Sequence, residues 1–551
     1  MKAVDSTANW EAIAAKKQAS LLAAIPPEWR IPAELLPPVS KDDISTFPES
    51  SGWFTVDELA ITSSNAVELI TRLASGELTS VEVTRAFCKR AAAAHQLTNC
   101  LSEIFFDRAL ETAVRLDAYI AREGKPLGPL HGLPVSLKDN FNLVGLDSTV
   151  GFTSHAGHHA EEDSVLAELL RDKCGAVFYV KTNVPTAMMI AESVNNLTGR
   201  TVHPMNRKLT SGGSSGGESA LIAFGGSVLG VGTDIGGSLR IPAACTGLFT
   251  LRPSVGRFPT GRCRSGLPGQ EAVKSVNGPI ARSLADIEYY CRAVVGRQPW
   301  LVDHECIPIP WRDSMAPLLP ASSGPLSEAR KLKIGVLWHD GMVRPTPPVS
   351  RALRETVDKL KAEGHEVVDW DVGKEHALGL QLLARMFIAD GGKAVRAELE
   401  KTGEPWRPEM VFYAAATELG CSDLWKLHLE RRAFQQRYLD KWNESGIDAI
   451  LCPTTPWAAV ENGKFSHVGY TGVFNVLDYS CISFPSGVMV DKAIDLPFSD
   501  ATGYKPLSET CKTVQGEYNP DIIHGMPVSL QLVARKLEEE KVIAMCKMIM
   551  G

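Results

Sequence analysis

Three stretches of the chain hold residues that could together activate a hydroxyl group. "HGLPVSLKDNF" ends an apolar run on Lys138, and "KLTSGGSSGGES", Lys208 to Ser219, offers Ser214 and Ser215 among glycines. "GVGTDIGGSLRIPAA", Gly230 to Ala244, sets Gly236 and Gly237 directly before Ser238. Successive glycine N–H groups can converge on one point because no side chain shields them, which is what an oxyanion hole requires. A nucleophilic oxygen and the donors for its oxyanion would then share one turn. A lysine buried at a strand end sheds its charge readily, and a neutral lysine can serve as a general base. Each stretch also has a plainer reading: a Gly/Ser linker, a Gly-rich turn before a helix, and a lysine with its head in water or paired with Asp139.

The combination is more specific than its parts. Ser214 follows Lys138 by 76 residues and Ser238 follows Ser214 by 24. Three motifs in this order and at these separations resemble the amidase signature family. The resemblance runs from paired helices near 65–95 to "GMPVSLQLVAR" at 525–535. Within the family the chain is most similar to fungal acetamidase-type amidases, through its N-terminal arm, "GAVFYVKTNVP" and "PIPWR".

That resemblance implies an α/β fold: a single large catalytic domain, residues 61–551, with a mixed central β-sheet covered by helices on both faces. A helical arm, residues 1–60, would pack on it. It implies Ser238 as nucleophile, Lys138 as base, and Ser214, after a cis Gly213–Ser214 peptide, as the bridge between them. Ile235, Gly236 and Gly237, with Ser238 itself, would supply the oxyanion hole. Asp234 and Arg240 would brace that loop, and Ser215 would hold Ser214. No metal and no cofactor is implied. Ser219 departs from the family, which usually has glycine there, but it is small. The chemistry agrees with these roles. A serine hydroxyl is unreactive until something takes its proton, and a second hydroxyl can accept from one partner while donating to the other.

The implied reaction is hydrolysis of small, acetamide-like carboxylic amides to carboxylate and ammonia through an acyl-enzyme. Aryl or indole acetamides and a secondary-metabolite amide are the alternative substrates. An amidotransferase-type subunit working with ATP-using partners is the third reading. "GSSGG" also satisfies G-x-S-x-G with Ser215 as an elbow nucleophile, but "NRKLTSG" before it is too polar for the strand that motif needs. Histidines for such a triad do follow, His467 among them. A P-loop fails because no Lys-Ser/Thr closes the glycines. "GHH" at 157–159 reads as a solvated loop rather than a metal site.

The elements that must position these groups are partly visible. Asn65 with Glu68, and Thr79 with Glu82, have capping-box spacing before two helical patterns, and Gly76 stops the first. "LPVSLKD" and "AVFYVKT" read as buried strands, with "DSVLAELLRDKCG" as a helix between them. "KLKIGVLW", "RALRETVDKLKAEG", "HEVVDW" and "DAILCPTTP" continue the alternation, and strands separated by single helices predict parallel pairing. Residues 488–524 lack periodicity and form a long excursion. That excursion, Met188–Asn195 and "GYTGVFNVLDY" are the expected pocket walls.

Composition bounds the rest. The 551 residues are 44% hydrophobic and 22% charged, enough for one large core or several ordinary ones. A net charge of −7 and the lack of a dense Lys/Arg run argue against a nucleic-acid or membrane partner. The expected partner is a small amide, and a homodimer stays open as an assembly. The 12 cysteines include no C-x-x-C pair and read as reduced thiols. The first residues lack the apolar core of a secretory signal, which predicts a cytoplasmic enzyme.

Overall fold

Local capping fixes the first paired helices. A computed structural model describes residues 9–315, 331–498 and 504–550. Helix α1 spans Trp10–Ala23 and α2 spans Ala66–Ser75. At the start of α2, Glu68 N–H donates to Asn65 Oδ1 (2.9 Å) and Asn65 N–H donates to Glu68 Oε2 (3.0 Å). Gly76 ends the helix with φ +75°, a conformation glycine adopts without strain. Helix α3, Ser80–Thr98, opens on the same reciprocal pair between Thr79 and Glu82. Lys17 of α1 is nearly buried and is held by Glu103 and by Asp147, 2.9 Å away.

The chain belongs around one sheet of eleven strands. In chain order they are β1 (Leu101–Ile104), β2 (Pro134–Lys138), β3 (Val177–Thr182), β4 (Leu229–Asp234), β5 (Phe249–Arg252) and β6 (Val276–Ala281). Then come β7 (Lys333–Val336), β8 (Glu366–Asp369), β9 (Ala449–Pro453), β10 (Ser480–Met489) and β11 (Pro527–Ala534). Their spatial order is β1-β3-β2-β4-β6-β5-β10-β11-β9-β7-β8.

The expected parallel pairing is only partly present. β2 runs parallel to β3 and β4, and β7 runs parallel to β8 and β9. The other six neighbouring pairs are antiparallel. The helix–strand alternation is present, but it does not reveal that β5, β6, β10 and β11 insert between the two parallel groups. Residues 165–173, expected as one helix, start as an α-helix at Val165–Glu168 and widen into a π-helical turn.

Burial on both faces follows from the period of two along the strands. Ala449 and Leu451 of β9, Ile482 and Phe484 of β10, and Leu530 and Leu532 of β11 enter one apolar core. Their neighbours Ile450, Cys452, Cys481 and Val533 enter a second core on the other side. Helices complete both layers. Among them are α4 (Gly216–Ala223), α5 (Arg240–Thr246), α6 (Pro347–Ala362), α7 (Glu375–Phe387), α8 (Cys421–Ser445), α9 (Gly469–Leu477) and α10 (Glu539–Met550). Phe434 of α8 and Val473 and Phe474 of α9 fill the second core. No described helix is long and apolar enough to cross a membrane.

Candidate active site

Strand alternation aims Lys138. Val135 and Leu137 enter the apolar core, so Ser136 and Lys138 point to the opposite side of β2. Lys138 is completely buried at the C-terminal end of that strand. Its Nζ lies 2.8 Å from Ser214 Oγ and 2.7 Å from Thr233 Oγ1, with the Thr233 carbonyl at 3.4 Å. Burial disfavours the ammonium and brings its pKa from 10.5 down to about 7, although Asp234, Glu218 and Asp139 pull the other way.

The Gly/Ser stretch is not a linker. Every residue from Leu209 to Ala220 is buried. The Gly213–Ser214 peptide is cis. Gly213 lies against the backbone of the neighbouring loop, where a Cβ would come 2.6 Å from the amide nitrogen of Glu192. Ser214 leads into α4, whose Glu218 is also fully buried. Ser136 Oγ donates to Glu218 Oε2 at 2.5 Å and Thr182 Oγ1 donates to Oε1 at 2.9 Å, tying α4 to β2 and β3. Burial raises the Glu218 pKa to about 8 against those two hydroxyls. Ser219 fits the packing, with its hydroxyl donating to Ser211 O (2.8 Å) and Gly216 O (3.1 Å).

Ser215 joins the two serine loops. Its N–H donates to Ser238 O at 3.2 Å, and its hydroxyl donates to Thr233 O at 3.3 Å. Ser215 is fully buried, and no described histidine nitrogen is hydrogen-bonded to it. An elbow nucleophile needs an exposed oxygen and a histidine, so Ser215 does not serve as one. His467 bonds Asp340 Oδ2 instead, at 2.5 Å.

Ser238 and Gly236 line a cavity of about 430 Å³. The N–H groups of Ile235, Gly236 and Ser238 donate to no protein acceptor among the described residues. Gly237 is different: its N–H donates to Asp234 Oδ1 at 2.8 Å. The expected donor set therefore loses Gly237, because the carboxylate that shapes the turn already occupies it. Gly237 sits at φ +134°, with Thr471 Cβ 2.8 Å from where its own Cβ would be, so the position suits only glycine.

Asp234 and Arg240 pair beneath the loop, and Asp234 accepts from its Gly237 and Leu239 N–H groups. The pair is fully buried, with Nε 3.0 Å from Oδ2 and Nη2 3.2 Å from Oδ1. Arg240 also donates to Thr471 O, Gln531 Oε1 and Asn475 Oδ1, and Asn475 Nδ2 donates to Asp234 Oδ1. Burial opposes ionisation of Asp234, but Arg240 outweighs it and holds the carboxyl far below the usual carboxylate range. Thr471 Oγ1 donates to Gly236 O at 2.8 Å. Helix α9 thus supports the turn from behind.

Comparison with known proteins bears on this arrangement. The family model named Amidase matches residues 82–543. The chain belongs to the amidase family. It is 43% identical to an acetamidase of Emericella nidulans over 98% of this chain and 97% of that one. It is 41% identical to an acetamidase of Aspergillus oryzae over 98% of each. The solved structure of a fatty acid amide hydrolase superposes with a TM-score of 0.91 at 34% identity, covering 99% of this chain and 96% of that one. By family this amidase is a hydrolase of amide C–N bonds.

Two expectations about the amidase's cavity need correction. Met188–Glu192 do line it, but α9 does not: only Val468, just before that helix, reaches the wall. Among the described residues the 488–524 excursion supplies no wall either, and residues 499–503 of it lie outside them. Asp495 is instead held by Arg351 of α6, 2.8 Å away. The missing walls come from α7 (Leu380, Leu383, Phe387), from Phe412 and Tyr413, and from Gly463, Phe465 and Ser466. Thr233 and Glu218 also escaped the motif reading, though both stand inside the quoted stretches.

Proposed function

We propose that the chain hydrolyses carboxylic amides through Ser238, Ser214 and Lys138. The observation that carries this reading is the buried Lys138 within 2.8 Å of Ser214 Oγ, beside a cavity lined by Ser238. A neutral amine has two N–H groups and one lone pair. Thr233 Oγ1 and the Thr233 carbonyl accept the N–H groups, which leaves the lone pair for the Ser214 hydroxyl.

The steps follow. Ser238 Oγ attacks the amide carbon while its proton passes to Ser214 and the Ser214 proton passes to Lys138. The oxyanion accepts from the N–H groups of Ile235, Gly236 and Ser238; losing one such donor typically costs about 3–4 kcal/mol. Lys138 returns its proton through Ser214 to the leaving nitrogen, the C–N bond breaks and ammonia departs. Water then cleaves the acyl-enzyme by the same relay and releases the carboxylate. Acetamide-like primary amides are the first substrates this reading assigns, from the two acetamidase relatives. Arylacetamides are the second, because the cavity walls include Phe387, Phe412 and Phe465.

The test is ammonia release by the purified chain alone over a panel of amides, with Ser238→Ala as blank. Release that depends on Ser238 and on no ATP or second protein supports the reading. An absence of release until a partner subunit is added favours the amidotransferase alternative.

A further inference from the structure

The cavity is large for acetamide. Four heavy atoms displace about two or three waters at about 30 Å³ each, and the cavity measures about 430 Å³. Beyond the reactive groups its walls are side chains such as Met188, Leu383, Phe387 and Phe412. A methyl group would leave most of that apolar surface facing water.

Two carboxylates also line it, Glu192 and Glu409, and both are already neutralised. Glu192 is 2% exposed and accepts from Gly463 N–H (2.8 Å), Phe465 N–H (3.0 Å) and Arg200 Nη1 (2.5 Å). The other arm of the same guanidinium, Arg200 Nη2, lies 3.2 Å from Glu409 Oε1, and Arg407 Nη2 lies 3.0 Å from that oxygen. One cation thus joins three walls: the loop carrying Glu192, the loop 463–465 that Glu192 holds, and the segment carrying Glu409. No carboxylate is left over for an ammonium group on a substrate, and both arms of Arg200 are engaged.

On the amide-hydrolase reading above, we infer that this cavity takes uncharged amides bearing an apolar group of about five to ten carbons, with Arg200 as the positioning residue that keeps its wall charge-cancelled. Burying each added methylene should raise kcat/KM about three- to fourfold until the cavity is full. A charge at the far end of the same chain should reverse the gain, since desolvating it finds no partner.

The test uses the full chain and primary amides from acetamide through butanamide and hexanamide to octanamide, with phenylacetamide and 5-aminopentanamide. The last matches hexanamide in length but ends in an ammonium. The expected result is a rise in kcat/KM on the order of 10²-fold from acetamide to hexanamide, with 5-aminopentanamide at or below acetamide. Arg200→Met leaves the carboxylates without their shared cation, so the hexanamide to 5-aminopentanamide ratio falls at least about tenfold; Arg200→Lys restores it. Ratios are taken within one protein, so the amount of folded enzyme cancels. A flat or falling series, or efficient turnover of 5-aminopentanamide by the unmodified chain, overturns the inference and leaves the amide-hydrolase reading standing. An unchanged ratio in Arg200→Met removes Arg200 from it. If Arg200→Met does not fold, the chain-length and charge series on the unmodified chain still decides. Absence of Ser238-dependent ammonia from every amide would instead refute the reading on which the inference rests.

Discussion

Lys138 Nζ and Ser214 Oγ stand 2.8 Å apart, and both residues are buried. The lysine comes from the end of β2 and the serine from a loop 76 residues later, so the contact exists only once the sheet and α4 have packed. If Ser214 passes the proton between Ser238 and Lys138, Ser214→Ala breaks the relay while removing one oxygen. Its kcat should fall on the order of 10²–10⁴-fold with the circular dichroism unchanged. A loss below tenfold would mean that Ser238 reaches its base by another route.

The two serines that could be nucleophiles differ in exposure. Ser215 is fully buried and bonded to the Thr233 backbone, whereas Ser238 lines the cavity. A fluorophosphonate should therefore label the peptide containing Ser238, and Ser238→Ala should take up no label. Mass added to the peptide containing Ser215 would contradict the assignment.

Arg240 and Asp234 form a buried ion pair beneath the turn that carries Ser238. Arg240→Ala leaves the buried Asp234 carboxylate without its counter-charge and removes the guanidinium's bonds to Thr471 O and Asn475 Oδ1. Removing one partner of such a pair costs about 3–5 kcal/mol. The melting midpoint should drop by several degrees and turnover should fall with it. An unchanged midpoint would show that the pair does not hold this turn.

Much of this architecture was legible in the sequence where the signal is local. The capping boxes at Asn65/Glu68 and Thr79/Glu82 form between neighbours, so spacing alone reveals them. Lys138, Ser214 and Ser238 stand out in the sequence because three motifs occur together. The antiparallel partners of the central strands were not legible, since nothing in "GMPVSLQLVAR" says that Ile482 will lie opposite Leu532. Thr233 was missed because a threonine in a strand looks like any β-branched residue; its hydroxyl matters only through where Lys138 ends. Gly237 was misassigned for a related reason. A run of glycines offers N–H groups, but their acceptors are decided by the turn, and here Asp234 takes one of them. The excursion at 488–524 was expected at the cavity because length is a weak guide to place.

The central claim is that Lys138 is the base, and its titration tests that most directly. The reactive form is the neutral amine, which prevails above about pH 7. Below that value kcat/KM should rise about tenfold per pH unit, and above it the rate should level. The same shift has a consequence for stability. In the unfolded chain the lysine titrates near 10.5, so between about 7 and 10.5 the unfolded state holds more protons than the folded one, and this residue's contribution to stability improves as pH rises. The measurement is the pH profile of kcat/KM for wild type and Lys138→Arg side by side. The account predicts an ascending limb near pH 7 in the wild type, and in Lys138→Arg a rate lower by on the order of 10³-fold or more with no such limb, because a guanidinium stays protonated. Wild-type activity in Lys138→Arg, with the limb intact, would contradict it.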